Sequence, residues 1–362
     1  MKILIIGFAK IKYMPYLNLY LDNIDAVKND IHVMYWNRDS STDKPLPADV
    51  TPHVFSEGLA DEIPKAGKVK AFLSFAREAK KLIKREKFDF IIVLTSSPAV
   101  LLSSVLTREY KNRYIYDYRD YTFEKFGVYR KIVARLVENS AMTVYSSEKH
   151  LQFLPESEKL HIAHNFVSAS LNHRDAGLKE KPKTDEPVRF SYWGIIRNEE
   201  LNKRVIDKLA NDKRFEITFY GRKQQTALNL EKYCSENGIK NVRFTGEYQE
   251  EDRYSFAAQT DLLYNLYDVS GTEGMAMGNK FYDGIIFRIP QICTFGSFMG
   301  EKAQAMQVGK ALNPDSPDFA DEIYEYYRTL DEQQFKENCD KALQKIVEDN
   351  EKTAALLKSK CI

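Results

Sequence analysis

Short runs of consecutive apolar, mostly β-branched residues alternate along the chain with longer stretches whose apolar positions recur every three or four residues. In the first half the runs predict strands over 2–7, 31–36, 88–94, 113–116, 142–145 and 159–163. These runs are nearly all apolar rather than alternating, the pattern of parallel strands covered by helices on both faces. Between them, 69–86 places Phe72, Phe75, Ala76, Ala79, Leu82 and Ile83 on one stripe, which predicts an amphipathic helix.

The character changes near Ser168. Residues 168–187 are polar, hold two prolines and show no apolar period, which predicts an interdomain linker. A second alternating series follows, with strands expected over 188–193, 215–220, 241–244, 262–265, 290–294 and 309–312. Helices are expected over 199–210, 226–237 and 279–287, and long helical periodicity closes the chain over about 318–358. Two consecutive βαβ series predict an α/β protein of two doubly wound parallel sheets facing a cleft. The expected division is 1–167, the linker 168–187, 188–340, and a final helix 341–362 that packs back on the first domain. A length of 362 residues agrees, being more than one hydrophobic core usually serves.

Composition changes this picture little and charge narrows it. The net charge of +1 argues against nucleic-acid binding, which needs a basic excess to neutralise phosphates. The basic residues nevertheless cluster: 65–87 holds nine against two acids, either a solvated helix face or a surface for an anionic membrane. Four widely spaced cysteines fit neither a zinc site nor a disulfide framework, and a cytoplasmic location is expected. The apolar run after Lys2 is cut short by Lys10 and Lys12, so a buried first strand is expected there rather than a signal peptide. Gly7 opens no GxGxxG, and there is no P-loop, so a dinucleotide cofactor is not expected.

The most informative stretch runs from Gly271 to Ile292: a glycine-containing loop with Glu273, a helix start near Asn279, two helical turns and a strand led by Pro290. A loop-to-helix junction offers free backbone N–H groups and the positive end of the helix dipole, which suit a diphosphate. Lys280 adds a point charge there, and a Lys at a helix start beside a loop is expected to carry little packing. Asp283 lies about one turn on and could accept two hydrogen bonds from a ribose diol. The bland alternative is a surface Lys–Asp pair of little energetic worth.

The segment Asn279-Lys280-Phe281-Tyr282-Asp283 with Pro290 resembles the donor-site motif of family-4 glycosyltransferases, in which Asp283 stands where the family has a ribose-binding Glu. The family's second Glu would fall at Met275, and Glu273 is the nearest carboxylate. The turn at Gly194 with Arg197, the Tyr220-Gly221-Arg222 turn and the 241–246 strand follow the family's order. Tyr116-Asp117-Tyr118-Arg119-Asp120 is similar to its acceptor-domain signature, and His164-Asn165 to its hinge. The resemblance implies a GT-B fold and transfer of sugar from a UDP- or GDP-linked donor to a hydroxyl of a glycan, with a lipid-diphosphate-linked glycan among the acceptors it allows. It implies retention of configuration and a role in capsule or exopolysaccharide synthesis. Donor contacts then fall to Gly194, Arg197, Arg222, Glu273, Asn279, Lys280 and Asp283, and acceptor or catalytic contacts to Asp117, Asp120 and His164. Asp117, Arg119 and Asp120 equally suit a structural ion-pair cluster, and His164 a hydrogen-bonded hinge. No metal is expected, since no Asp-x-Asp triplet occurs and positive groups can neutralise the departing diphosphate. Two rivals remain: a sugar-nucleotide epimerase on the same fold, and a non-catalytic accessory subunit.

Overall fold

The computed structural model describes residues 1–38, 42–58, 65–270 and 272–361, without the side chains of Lys65, Ala66, Thr272 and Glu273. The chain divides into two compact units, Met1–Asn165 with Val347–Ile362, and Phe166–Ile346.

The first unit is built on β1 (Lys2–Ile6), β2 (Asp30–Trp36), β3 (Val50–Phe55), β4 (Phe90–Leu94), β5 (Tyr114–Tyr118), β6 (Met142–Tyr145) and β7 (Leu160–Ile162). All pair in parallel in the order β3-β2-β1-β4-β5-β6-β7. The chain reverses its winding between β1 and β4. Apart from Lys2 at the start of β1, both central strands are apolar because helices cover both faces of the sheet. On one face, Phe75, Ala79 and Leu82 of helix Lys65–Glu86 join Leu102, Leu106 and Val133 in one core. On the other, Leu17, Tyr20 and Ile24 pack with Leu357 and Cys361 from the end of helix Glu332–Lys360.

Two features differ from the sequence reading. β3 was not expected, because Pro52 interrupts it. It lies at the sheet edge, where a missing N–H is tolerated. β5 runs two residues past its expected end, so Asp117 lies within a strand rather than beyond one.

The second unit contains β8 (Val188–Trp193), β9 (Phe215–Tyr220), β10 (Val242–Gly246), β11 (Leu262–Asn265), β12 (Gln291–Thr294) and β13 (Gly309–Leu312). They are parallel in the order β10-β9-β8-β11-β12-β13, with the reversal between β8 and β11. The polar stretch after Ser168 belongs to this unit. Its Ser168–Gly177 segment forms 3₁₀ turns, His173 stacks on Tyr254 at 3.9 Å, and a Cβ at Gly177 would meet the Phe287 carbonyl at 1.9 Å. Its polarity therefore marks the outer face of a packed segment. The four cysteines are buried and unpaired. Among the described residues, no helix is long and apolar enough to cross a membrane.

Candidate functional site

In an open α/β sheet, ligands bind beyond the carboxyl ends of the strands where the winding reverses. In the second unit that place lies between β8 and β11. Glycine turns end the three strands on one side of it, β8, β9 and β10. Gly194 ends β8 with φ +115° and Gly246 ends β10 with φ +98°, conformations that L side chains rarely adopt. Gly221 follows β9 so closely against the β8 turn that a Cβ there would lie 2.0 Å from the Gly194 carbonyl oxygen.

The loop after β8 is braced from below. Asn202 donates to the carbonyls of Arg197 and Asn198 at 2.5 and 2.9 Å, and accepts from Tyr264 Oη at 2.9 Å. Asn198 caps the helix Glu199–Leu209 through Leu201 N and donates to Asp268 at 3.2 Å, tying this loop to the one after β11. Arg197 and Arg222 are exposed on their loops.

Lys280 occupies the switch point itself. It is buried rather than solvated: its Nζ sits 3.3 Å from the Tyr192 ring centroid, 4.9 Å from that of Tyr267, and 3.4 Å from the Tyr264 carbonyl. A cation over aromatic faces is attracted by their ring quadrupoles, more strongly where water is excluded. The sequence placed this lysine correctly at the start of helix Asn279–Ile286 but not its enclosure, which comes from tyrosines on β8 and the β11 loop. The helix is fixed from beneath, since Gln291 Nε2 donates to the Phe281 carbonyl and Asn265 donates to Gln291 Oε1. Asn279 opens the helix, half-buried. The side chain of Glu273 lies outside the described residues.

Asp283 is fully buried, and both its oxygens accept from Arg253 Nη1 at 3.2 and 3.1 Å. Burial raises the Asp283 carboxyl above its ordinary value, with Arg253 opposing. Arg253 reaches it from helix Asp252–Ala258, and Tyr248 stands beside the pair with its hydroxyl pushed up by burial to about 12. Arg253 carries no sequence signal, because a partner 30 positions away on another helix belongs to no local motif.

In the first unit, Asp117 is enclosed in β5. Its carboxylate accepts from Arg119 Nε at 2.5 Å, Arg119 Nη2 at 3.0 Å and Tyr20 Oη at 2.6 Å. This is the ion-pair arrangement, and it leaves Asp117 no open side toward a substrate: its task is to hold Arg119. Arg119 in turn donates to the Ala163 carbonyl at 3.0 Å, joining the end of β5 to His164. The His164 backbone N–H donates to Asn350 at 2.7 Å, and its Nε2 lies 3.4 Å from Asp349. Asp120 is exposed beyond β5. Thr95, which ends β4 beside the first sheet's reversal, has φ +72°, a strained conformation for a β-branched residue that the sequence does not signal.

A small cavity lined by Lys179, Lys181, Arg288 and Tyr327 lies at the opposite edge of the second sheet, beside Asp261 and Pro290, where β11 and β12 begin. Its position at the strand N-termini sets it apart from the site above.

No protein-family model matches the sequence, and no curated protein matches it. Solved structures do match across the whole chain. HepE of Anabaena, in complex with UDP and glucose, is similar at TM-score 0.69 and 14% identity, over 99% of this chain and 100% of that one. Sucrose-phosphate synthase of Thermosynechococcus elongatus is similar at TM-score 0.75 and 12% identity, over 99% and 98%. UDP-GlcNAc 2-epimerase of Methanocaldococcus jannaschii matches at TM-score 0.58 and 12% identity, over 96% and 100%. The fold is therefore GT-B, with two parallel-sheet Rossmann-like domains.

Proposed function

We propose that this protein is a glycosyltransferase that moves a sugar from a nucleoside diphosphate donor to an acceptor hydroxyl. The observation that carries this reading is Lys280, a cation fixed by aromatic faces at the switch point of the second sheet and flanked by glycine turns. Departure of a nucleoside diphosphate concentrates negative charge on its β-phosphate. A preorganised cation and the N–H groups at the start of helix Asn279–Ile286 stabilise that charge more than they stabilise the ground state. Arg197, Arg222 and Glu273 complete the donor side, with Gly194 letting the backbone approach the phosphates. The Asp283–Arg253 pair supplies a polar wall for the ribose.

The first unit takes the acceptor, with Asp120 and His164, which follow its strand ends, as the groups proposed to contact it. Retention of configuration, independence of metal, a UDP- or GDP-linked donor and a place in cell-surface polysaccharide synthesis belong to the same proposal. Support comes from HepE, whose structures hold UDP, glucose or UDP-glucose, and from WaaG, a glycosyltransferase involved in lipopolysaccharide biosynthesis.

An epimerase on this fold is the second reading, because one such enzyme is among the similar structures. Incubation with UDP-sugars separates them. A transferase passes the sugar to an added acceptor, or slowly to water, and releases UDP. A 2-epimerase inverts the donor's sugar without any acceptor. Neither product from any nucleoside diphosphate sugar would leave the accessory-subunit reading.

A further inference from the structure

The segment following β5 leaves three large apolar side chains in water within six residues. Phe123 is 50% exposed, Phe126 56% and Val128 74%. Such a concentration is unusual on a surface that faces only solvent. The exposed charge around it is mostly basic, with exposed acids only at its two ends, Asp120 and Glu138. Across 121–135 the exposed charged residues are Lys125, Arg130, Lys131 and Arg135, while the sole acid, Glu124, is buried and accepts from Tyr118 Oη and Thr122 N. Lys125 lies over the Phe126 ring at 5.2 Å, and Phe123 meets Tyr129 edge-on at 5.7 Å, so the aromatic group is held in place by its own neighbours.

The topology adds a second element on the same side. Helices Gly127–Asn139 and Lys65–Glu86 cover the same face of the first sheet, both contributing to one core. Each follows a strand of a parallel sheet, so both helix N-termini lie at the carboxyl edge of that sheet. There helix Lys65–Glu86 presents exposed Val69, Lys70 and Leu73, with Arg77, Lys80 and Lys84 continuing its outer stripe beside a Lys81–Glu78 pair at 2.7 Å.

We infer that this edge of the first unit docks on an anionic bilayer, with Phe123, Phe126 and Val128 entering the headgroup region and the two basic helix faces lying against lipid phosphates. Apolar side chains beside Lys and Arg fit a surface that is negative outside and apolar beneath. A second copy of this chain would bring like charges together across the same contact. The inference does not depend on the donor site.

The test is co-sedimentation of the full chain, without nucleotide, with phosphatidylcholine vesicles lacking or containing about 30% phosphatidylglycerol. The expected result is binding to the anionic vesicles only, weakening as salt rises. Phe123→Ser/Phe126→Ser/Val128→Ser and Arg130→Gln/Lys131→Gln should each reduce it at least tenfold with unchanged thermal unfolding. Anionic-vesicle binding that survives the apolar substitutions overturns the inference. So does a wild-type dimer that those substitutions turn into a monomer with vesicle binding unaffected. Vesicle binding by a chain that binds neither UDP nor GDP would sustain this inference while removing the proposed donor site.

Discussion

At the residue scale, the pairing of Asp283 with Arg253 alters what a substitution can reveal. The sequence suggests that Asp283→Asn keeps the fold, since shape is conserved. With side-chain exposures of only 7% and 3%, however, Asn would leave the Arg253 guanidinium buried without its counter-charge. The expected cost is about 3 kcal/mol of stability, read by urea unfolding. A loss well below 1 kcal/mol would mean that water reaches the pair. His150 makes a pH prediction. Burial beneath Tyr118, with the Arg119 charge nearby, lowers its value to about 4. Between the ordinary 6.5 and about 4 the unfolded chain therefore binds more protons than the native one. Stability should fall as pH drops through that window, by roughly 3 kcal/mol in all, and be restored above it. His150→Leu should flatten this part of the stability–pH curve, and an unchanged slope would assign the acid sensitivity to other groups.

At the element scale, what was legible in the sequence divides by the range of the interactions responsible. A buried parallel strand such as β4 announces itself because every residue is apolar. β3 does not, because an edge strand with Pro52 needs only its neighbour's backbone. The helix start at Asn279 was readable from its loop. The cage around Lys280 was not, since Tyr192 reaches it from β8 and Tyr267 from the loop after β11. The sequence put Asp117 just past the end of β5, whereas it lies inside the strand, and its enclosure follows from Tyr20, on a segment 97 positions away. Turn geometry gives two tests. Gly221→Ala would drive a methyl against the Gly194 carbonyl and should lower both stability and UDP affinity. Thr95→Gly should raise stability by about 1 kcal/mol by releasing backbone strain, read by thermal unfolding. A loss of similar size would show that Thr95 is not strained.

At the scale of the whole molecule, the last helix starts in the second unit and ends in the first. Asn350 bonds the His164 backbone in both directions, and Leu357 is buried in the first unit's core. Leu357→Ala is expected to cost about 3 kcal/mol despite its place near the chain end, as for a fully packed core leucine. A negligible loss would mean that the terminus is not integral to that core. The alternation of strands and helices foretold this two-domain plan, whereas the proposed chemistry rests on one buried cation. The most direct measurement is therefore a calorimetric titration of UDP into the wild type and into Lys280→Met, which keeps the side chain between Tyr192 and Tyr267 without its charge. Wild type should bind, and the variant should lose about 1.5–3 kcal/mol, roughly ten- to a hundredfold, while unfolding at a similar temperature. Equal UDP affinity in the two proteins would contradict the donor site proposed for the second sheet.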